Sequence, residues 1–408
     1  MSKAAFQQGS RHQTNLGGSH GGRAAGQPVA TSGGIGGYGS YITPINMGSG
    51  GSTSNDGKEG GAGGSAIRFK TKNLQVDGTI STDGQKGESA YHSSHNGGGS
   101  GAGGSILLEI EETLSGSGNI QSNGGESASG DNGNHGSAGG GGRIALICKT
   151  NSFTGIWLAH GGKGNNAAPK HTAGGAGTVY FNCDNDVNRL LLDNNNYENQ
   201  FFSLISDIDV TSFDITTLEL NGKARVAFMP ENVNAPTEVR VDVLHHIGDK
   251  TSVLHVLPRT TMVLRDSNKV ITPSRVSIES FTTLIPFNEL TGSSSTPRSA
   301  SIEFLWNIVT EPLSTLVLPD HLKISSSYFH LKGEISGPRY VTLTEEAEFY
   351  FLQPSLMKRV GREHWKSGKI TKGTLDSDNA HFDLLRYTDK EVTECYTKGC
   401  YSDTLTFD

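Results

Sequence analysis

Four stretches of this chain run from glycine into alternating apolar residues: GGAGGSAIRF, GSGAGGSILLEI, GGGGRIALIC and GGAGTVYFNC. Their first large apolar residues are Ile67, Ile106, Ile144 and Val179, separated by 39, 38 and 35 residues. A second short apolar segment follows each of the first three: LQVDGTISTDG, LSGSGNIQSNGG and FTGIWLAHGG. These anchor at Leu74, Leu114 and Phe153, 40 and 39 apart. Two columns sharing one period mark an internal repeat, and a looser copy upstream (GGSHGG … GGIGGYGSYITP) fits an atypical first unit. Inside the segments the alternation has period two, which predicts strands. Ile106, Leu108 and Ile110 share one face, and Leu107, Glu109 and Glu111 the other. Ile144, Leu146 and Cys148 repeat the first face, then Val179, Phe181 and Cys183. Ile67 and Phe69 fit with a shift of one residue.

One such unit buries too little to fold alone, but stacked units complete a continuous interior. The expected fold is therefore all-β: a Gly-rich parallel β-helix, or solenoid, with coils of about 35–40 residues. Residues 1–16 read as a flexible N-terminus, 17–183 as the β-helix, and 184–200 (DNDVNRLLLDNNNYENQ) as a polar junction. Residues 201–408 read as a further β-rich region, either divergent β-helix coils or a β-sandwich; L-x-L-N-G-K and its echo H-L-K-G-E-I-S-G favour coils. Glycine follows the same division, with 46 of the 55 in residues 1–183. No strict G-X-Y period exists, which excludes collagen. No apolar run reaches the ~18 residues of a membrane-spanning helix.

The second strand of each unit ends in Asp83-Gly84, Asn123-Gly124 or His160-Gly161. Asp, Asn and His tolerate positive φ better than most residues and Gly takes it freely, so a corner explains all three pairs. The Gly/Ser/Asn inserts at 85–96 and 126–138 are expected to protrude as mobile loops.

The repeats and Gly runs together resemble the Gly-rich modules of very large extracellular proteins of invertebrates and protists. Those modules are taken as right-handed parallel β-helices of the pectin-lyase-like, adhesin-like kind. The resemblance covers residues 17–183. It implies a surface or matrix scaffold, hence secretion, with glycans or other surface proteins as partners, and it carries no catalytic residues. No signal peptide or N-x-Ser/Thr sequon is visible, which leans intracellular. The strand-like last residues, YSDTLTFD, point to a segment of a longer chain.

The chemistry on offer is sparse. Net charge is −7, from 34 Lys+Arg and 41 Asp+Glu, with no basic stripe for nucleic acid. Asp83, Asn123 and His160 would line one edge of the stack and could grip a sugar or cation, although corner conformation already accounts for them. Tyr38 and Tyr41 can serve either as a sugar platform or in core packing; Trp157 aligns with Ile80 and Ile120 and reads as core. Calcium is the one cofactor that the loops STDGQKGES and SASGDNGNHG suggest. Neither has an EF-hand or β-roll spacing, so no cofactor is expected. Cys148 and Cys183 share the inward column, within disulfide reach or packed as small apolar groups; Cys395 and Cys400 can close a small loop. Two thiolates without a nearby His disfavour zinc.

The expected function is non-catalytic: a cell-surface or extracellular segment holding loops at fixed intervals. The competing class is a polysaccharide lyase or hydrolase on the same fold. Hydrolysis needs paired carboxylates, whereas Asp77 aligns with Ser117 and Glu109 with Ile147. A third reading is a filament whose terminal coils stack between chains, since open strand edges pair readily.

Overall fold

A computed structural model describes residues 16–24, 37–90, 96–130, 135–165, 173–199, 202–207, 210–228, 239–249 and 251–256, and from 260 onward short strands by their backbone pairing. The protein is all-β: every regular element among the described residues is a strand. Two compact units divide the chain, Met1–Val210 with Leu218–Ala235, and Thr211–Thr217 with Pro236–Asp408.

In the first unit the long strands are Ala66–Gln75 (β1), Ser105–Ser115 (β3), Arg143–Asn151 (β5) and Thr178–Cys183 (β7). The short ones are Thr79–Ser81 (β2), Asn119–Gln121 (β4) and Ile156–Leu158 (β6). The long strands pair in parallel and in the order of the repeats, so Ile67, Ile106, Ile144 and Val179 are successive partners. Two residues on, Phe69, Leu108, Leu146 and Phe181 form the next column. The short strands pair in parallel too, aligning Ile80, Ile120 and Trp157. The two sheets close over one core of Ile106, Leu108, Leu114, Ile120, Ile144, Leu146 and Phe181, with Trp157 edge-on to Phe181 at 5.1 Å. Like side chains stack because each repeat adds one strand to each sheet at a constant face.

Two expectations about register need correction. Ile67 and Phe69 are in step with Ile106 and Leu108 without a shift. The extra residue is on β3, where Glu111 and Glu112 stand against Lys72 alone between the pairs Thr71–Ile110 and Asn73–Thr113, and this lets Leu74 meet Leu114. Leu114 in turn faces Asn151, while Phe153 lies past the strand and packs edge-on against Trp157 at 5.2 Å. Leu107 lies on the second face of the sheet and is buried there with Ala145 and Tyr180, its partners on the next strands.

The segment expected as a polar junction contains a strand, Asp186–Asp193 (β8), which turns back antiparallel on β7 and makes the sheet mixed. Leu190 and Leu192 are buried, and Arg189 lies over the Phe181 ring at 4.6 Å while pairing with Asp186 and Glu219. Leu191, the partner of Val179, packs against the core, while Leu190, the partner of Tyr180, is buried on the opposite face, so apolar burial on both faces outweighs the polar residues around NRLLLD.

The glycine inserts differ most from expectation. Residues 98–104 donate their backbone N–H groups in rotation to three neighbours. Gly98, Gly101 and Gly104 donate to Glu88, Gln85 and Thr82; Gly99 and Ala102 to Ser52 and Ser49; Ser100 and Gly103 to Ser137 and Gly140. Each neighbour returns every third residue, the periodicity of an extended polyproline-II strand, which has no internal hydrogen bonds and must make them laterally. Residues 136–142 repeat the scheme, with Gly136, Gly139 and Gly142 donating to Ala128, Gly125 and Ser122. Residues 85–90 and 126–130 therefore belong to a hydrogen-bonded lattice and do not protrude; 91–95 and 131–134 lie outside the described residues.

In the second unit the ladders are again mostly parallel. Val239 pairs with Thr260, Thr261 with Thr283, His321 with Tyr340 and Tyr328 with Glu348, partners 19 to 22 residues apart. The last strand, Thr404–Phe407, is antiparallel to Gly368–Thr371.

Candidate functional site

The corner column Asp83, Asn123 and His160 is brought together, each residue half-buried, and both Asp83 and Asn123 accept hydrogen bonds from the backbone of the next repeat. The Asn123 N–H donates to Asp83 Oδ1 at 2.6 Å, and Gln121 Nε2 donates to the other carboxylate oxygen. One repeat later the His160 N–H donates to Asn123 Oδ1 at 3.2 Å. The column continues into a residue that the sequence did not single out: the Gly161 N–H donates to Oδ1 of buried Asn194 at 2.9 Å. Asn194 Nδ2 donates to the Gly174 carbonyl at 3.0 Å. Asn73, Asp77 and Ser89 of the first repeat likewise accept from the backbone N–H groups of Thr113, Ser117 and Ser129, each forty residues on. Short polar side chains at these positions serve the backbone of the neighbouring repeat.

The conformational explanation of these corners is overturned. None of the six corner residues has positive φ; among the non-glycine residues described, only Asn188, Asn195, Asn196 and Lys223 do. Glycine follows the Asx residue because the backbones touch: a Cβ on Gly84 would lie 2.1 Å from the Gly101 oxygen, and one on Gly124 2.0 Å from that of Gly139. The requirement is close approach, not handedness.

Tyr38 and Tyr41 do not form a platform. Tyr41 is buried, edge-on to Tyr180 at 5.5 Å, and Tyr38 donates from its hydroxyl to the Met47 carbonyl. Their segment lies across the second face of the sheet. The Tyr38 carbonyl accepts from Arg143 Nε at 3.1 Å, and the Asn46 carbonyl accepts from Ser105 Oγ at 2.5 Å. Burial raises the Tyr38 hydroxyl above its ordinary range.

Under this segment is a buried polar cluster that periodicity could not reveal. Arg143 opens β5, is fully buried, and donates from Nη2 to the Leu204 carbonyl at 3.2 Å. His20 is equally buried against the Tyr38 ring at 4.8 Å, with Nδ1 2.9 Å from the Gly103 carbonyl and Nε2 without a hydrogen-bond partner. Burial first, and the Arg143 charge second, lower His20 to about 3 from its ordinary 6.5. The folded state thus resists a proton that the unfolded chain accepts, so this stability is complete above pH 6.5 and is lost progressively as pH falls from 6.5 to about 3. At pH 5 the loss attributable to His20 is about 2 kcal/mol. Urea denaturation at pH 7 and pH 5 is expected to show it in the wild type and not in His20→Gln; equal losses in both would assign the effect elsewhere.

Cys148 and Cys183, partners across β5 and β7, are joined in a disulfide with Cα atoms 4.6 Å apart. Cys395 and Cys400 lie outside the described residues. Closing a loop across 35 residues restricts the unfolded chain, so Cys148→Ser with Cys183→Ser is expected to cost about 3 kcal/mol in chemical denaturation, and a change below about 1 kcal/mol would refute this. Among the described residues no group of three or more His, Cys, Asp or Glu is placed to hold a metal. No helix there is long and apolar enough to cross a membrane.

Compared with known proteins, the chain matches no family model, no curated protein and no solved structure.

Proposed function

We propose that this chain is a non-catalytic structural or adhesion segment of a surface or matrix scaffold, built on a Gly-rich parallel β-solenoid that continues as divergent coils beyond residue 200. One observation carries the reading: along the corner column, side-chain oxygens that could grip a ligand are spent on the backbone of an adjacent repeat. Asp83 holds the Asn123 N–H, Asn123 holds that of His160, and Asn194 holds that of Gly161. A side chain committed to its neighbour's backbone makes the stack rigid and leaves little to turn over a substrate. The carboxylates do not accumulate in columns either, since Glu109 faces Ile147 on the adjacent strand. The disulfide between adjacent repeats suits an oxidising, extracellular compartment.

The test is direct. Incubation with uronic-acid and neutral polysaccharides is expected to release no new reducing or unsaturated ends, and release of either would replace the scaffold reading by a carbohydrate-active enzyme. In parallel, Asn123→Ala is expected to lower stability by about 1 kcal/mol, as loss of a backbone-capping hydrogen bond does. It should leave retention on a glycan array unchanged; a loss of glycan retention at unchanged stability would return the corner column to a binding role.

A further inference from the structure

β1 closes one side of its sheet: among the described residues no strand pairs with its second edge, and β2 ends its own sheet on the same repeat. The interior is unfinished there. Ile106 and Leu108 on β3 are fully buried, whereas their partners on β1 are not: Ile67 is half-buried and Phe69 is 39 % exposed. Ile45 and Met47 are also exposed, and Asn46 between them is bonded to Ser105, the partner of Ala66 at the start of β1.

The charges on this edge are one-sided. Arg68, Lys70 and Lys72 alternate along β1 at exposed positions, and the strand contains no carboxylate. β3 is its complement, with Glu109, Glu111 and Glu112 and no cation. The pairing of β1 with β3 already uses the match, through Arg68 Nε and Glu109 Oε2 at 2.5 Å. A second copy of β1 is a poor occupant of the open edge, because it would set three cations against the same three, and like charges facing across strands repel. Lysines on an edge strand are a common guard against self-pairing.

We propose that β1 is a docking edge for an extended segment of another polypeptide, one that alternates apolar residues with acidic ones and adds to the sheet as a further strand. Its backbone would satisfy the free edge, its apolar residues would cover Phe69 and Ile67, and its carboxylates would meet Lys70 and Lys72. This deepens the scaffold reading by naming the chemistry of a partner; its failure would leave that reading standing, since the polysaccharide assay is independent of it.

The probe is a fluorescein-labelled, end-capped peptide with the sequence of residues 105–115, SILLEIEETLS, titrated onto the full chain and followed by anisotropy. Saturable binding is expected. A peptide with Lys in place of Glu109, Glu111 and Glu112 should bind at least about tenfold more weakly, a difference of ~1.4 kcal/mol. Lys70→Glu with Lys72→Glu, both at exposed positions, should invert that preference, and Phe69→Asp should weaken binding of the first peptide. Circular dichroism establishes that each variant is folded. No binding of the first peptide, equal binding of both peptides, or binding of a heparin fragment in place of either would overturn the proposal, the last by showing an anion-binding stripe rather than a strand edge.

Discussion

Leu108→Asp is expected to unfold residues 66–183 in one cooperative step, at a cost of about 5 kcal/mol or more. Leu108 is fully buried in the column Phe69, Leu108, Leu146 and Phe181. A carboxylate there would lie among hydrocarbon with no donor in reach, so the chain must either protonate it or open the stack. The damage spreads because each repeat is stabilised chiefly by its neighbours. Trp157, packed against Phe181 in the same core, reports the transition by fluorescence during urea denaturation. Leu108→Ala, which only leaves a cavity, should cost about 2–5 kcal/mol. If Leu108→Asp proved no worse than Leu108→Ala, the side chain would not be facing the core.

Gly101→Ala is expected to cost about 4 kcal/mol or more, an unusual penalty for adding one methyl group. The new Cβ would stand 1.9 Å from the carbonyl oxygen of Ala62 and 2.4 Å from its carbon, so backbone must move, not a side-chain tip. That backbone cannot shift alone: Gly101 donates to the Gln85 carbonyl at 2.8 Å and accepts from the Gly125 N–H at 2.9 Å. Gly78→Ala is the matched control, because nothing lies within 4 Å of its Cβ position and its φ is not left-handed. Alanine there should change stability by no more than about 0.5 kcal/mol, with any gain coming from the stiffer unfolded chain. Equal tolerance of both substitutions in thermal or urea denaturation would mean that the glycine segments are not laterally packed.

The strand registers were the most legible feature. Separations of 39 and 38 between Ile67, Ile106 and Ile144 translate directly into neighbouring parallel partners, because a stacked repeat converts sequence period into spatial adjacency. The change from 39 to 40 between the two columns even signals the irregularity between Thr71 and Asn73. The corner column was legible as a column and misread as to cause. Composition names Asx and Gly at a turn; it cannot say whether the glycine is there for its φ or for the space its missing Cβ leaves. Asn194 was hidden in a run of three asparagines, where no period marks one as the residue that completes a column.

By itself, then, the sequence determined that the chain is all-β and, for the repeats from Ile67 to Val179, which long strands lie beside which, since these follow from alternation and period. Only the tertiary structure decided what the glycines are for, that Tyr41 and Leu107 are covered, and that His20 and Arg143 are sealed beneath the segment carrying Tyr38. Those outcomes depend on contacts between segments far apart in the chain, such as Gly18 with Ser100 or Gly22 with Gly141. A glycine run carries no side-chain pattern from which such partners can be read, so its neighbours are selected only when the whole lattice closes around it.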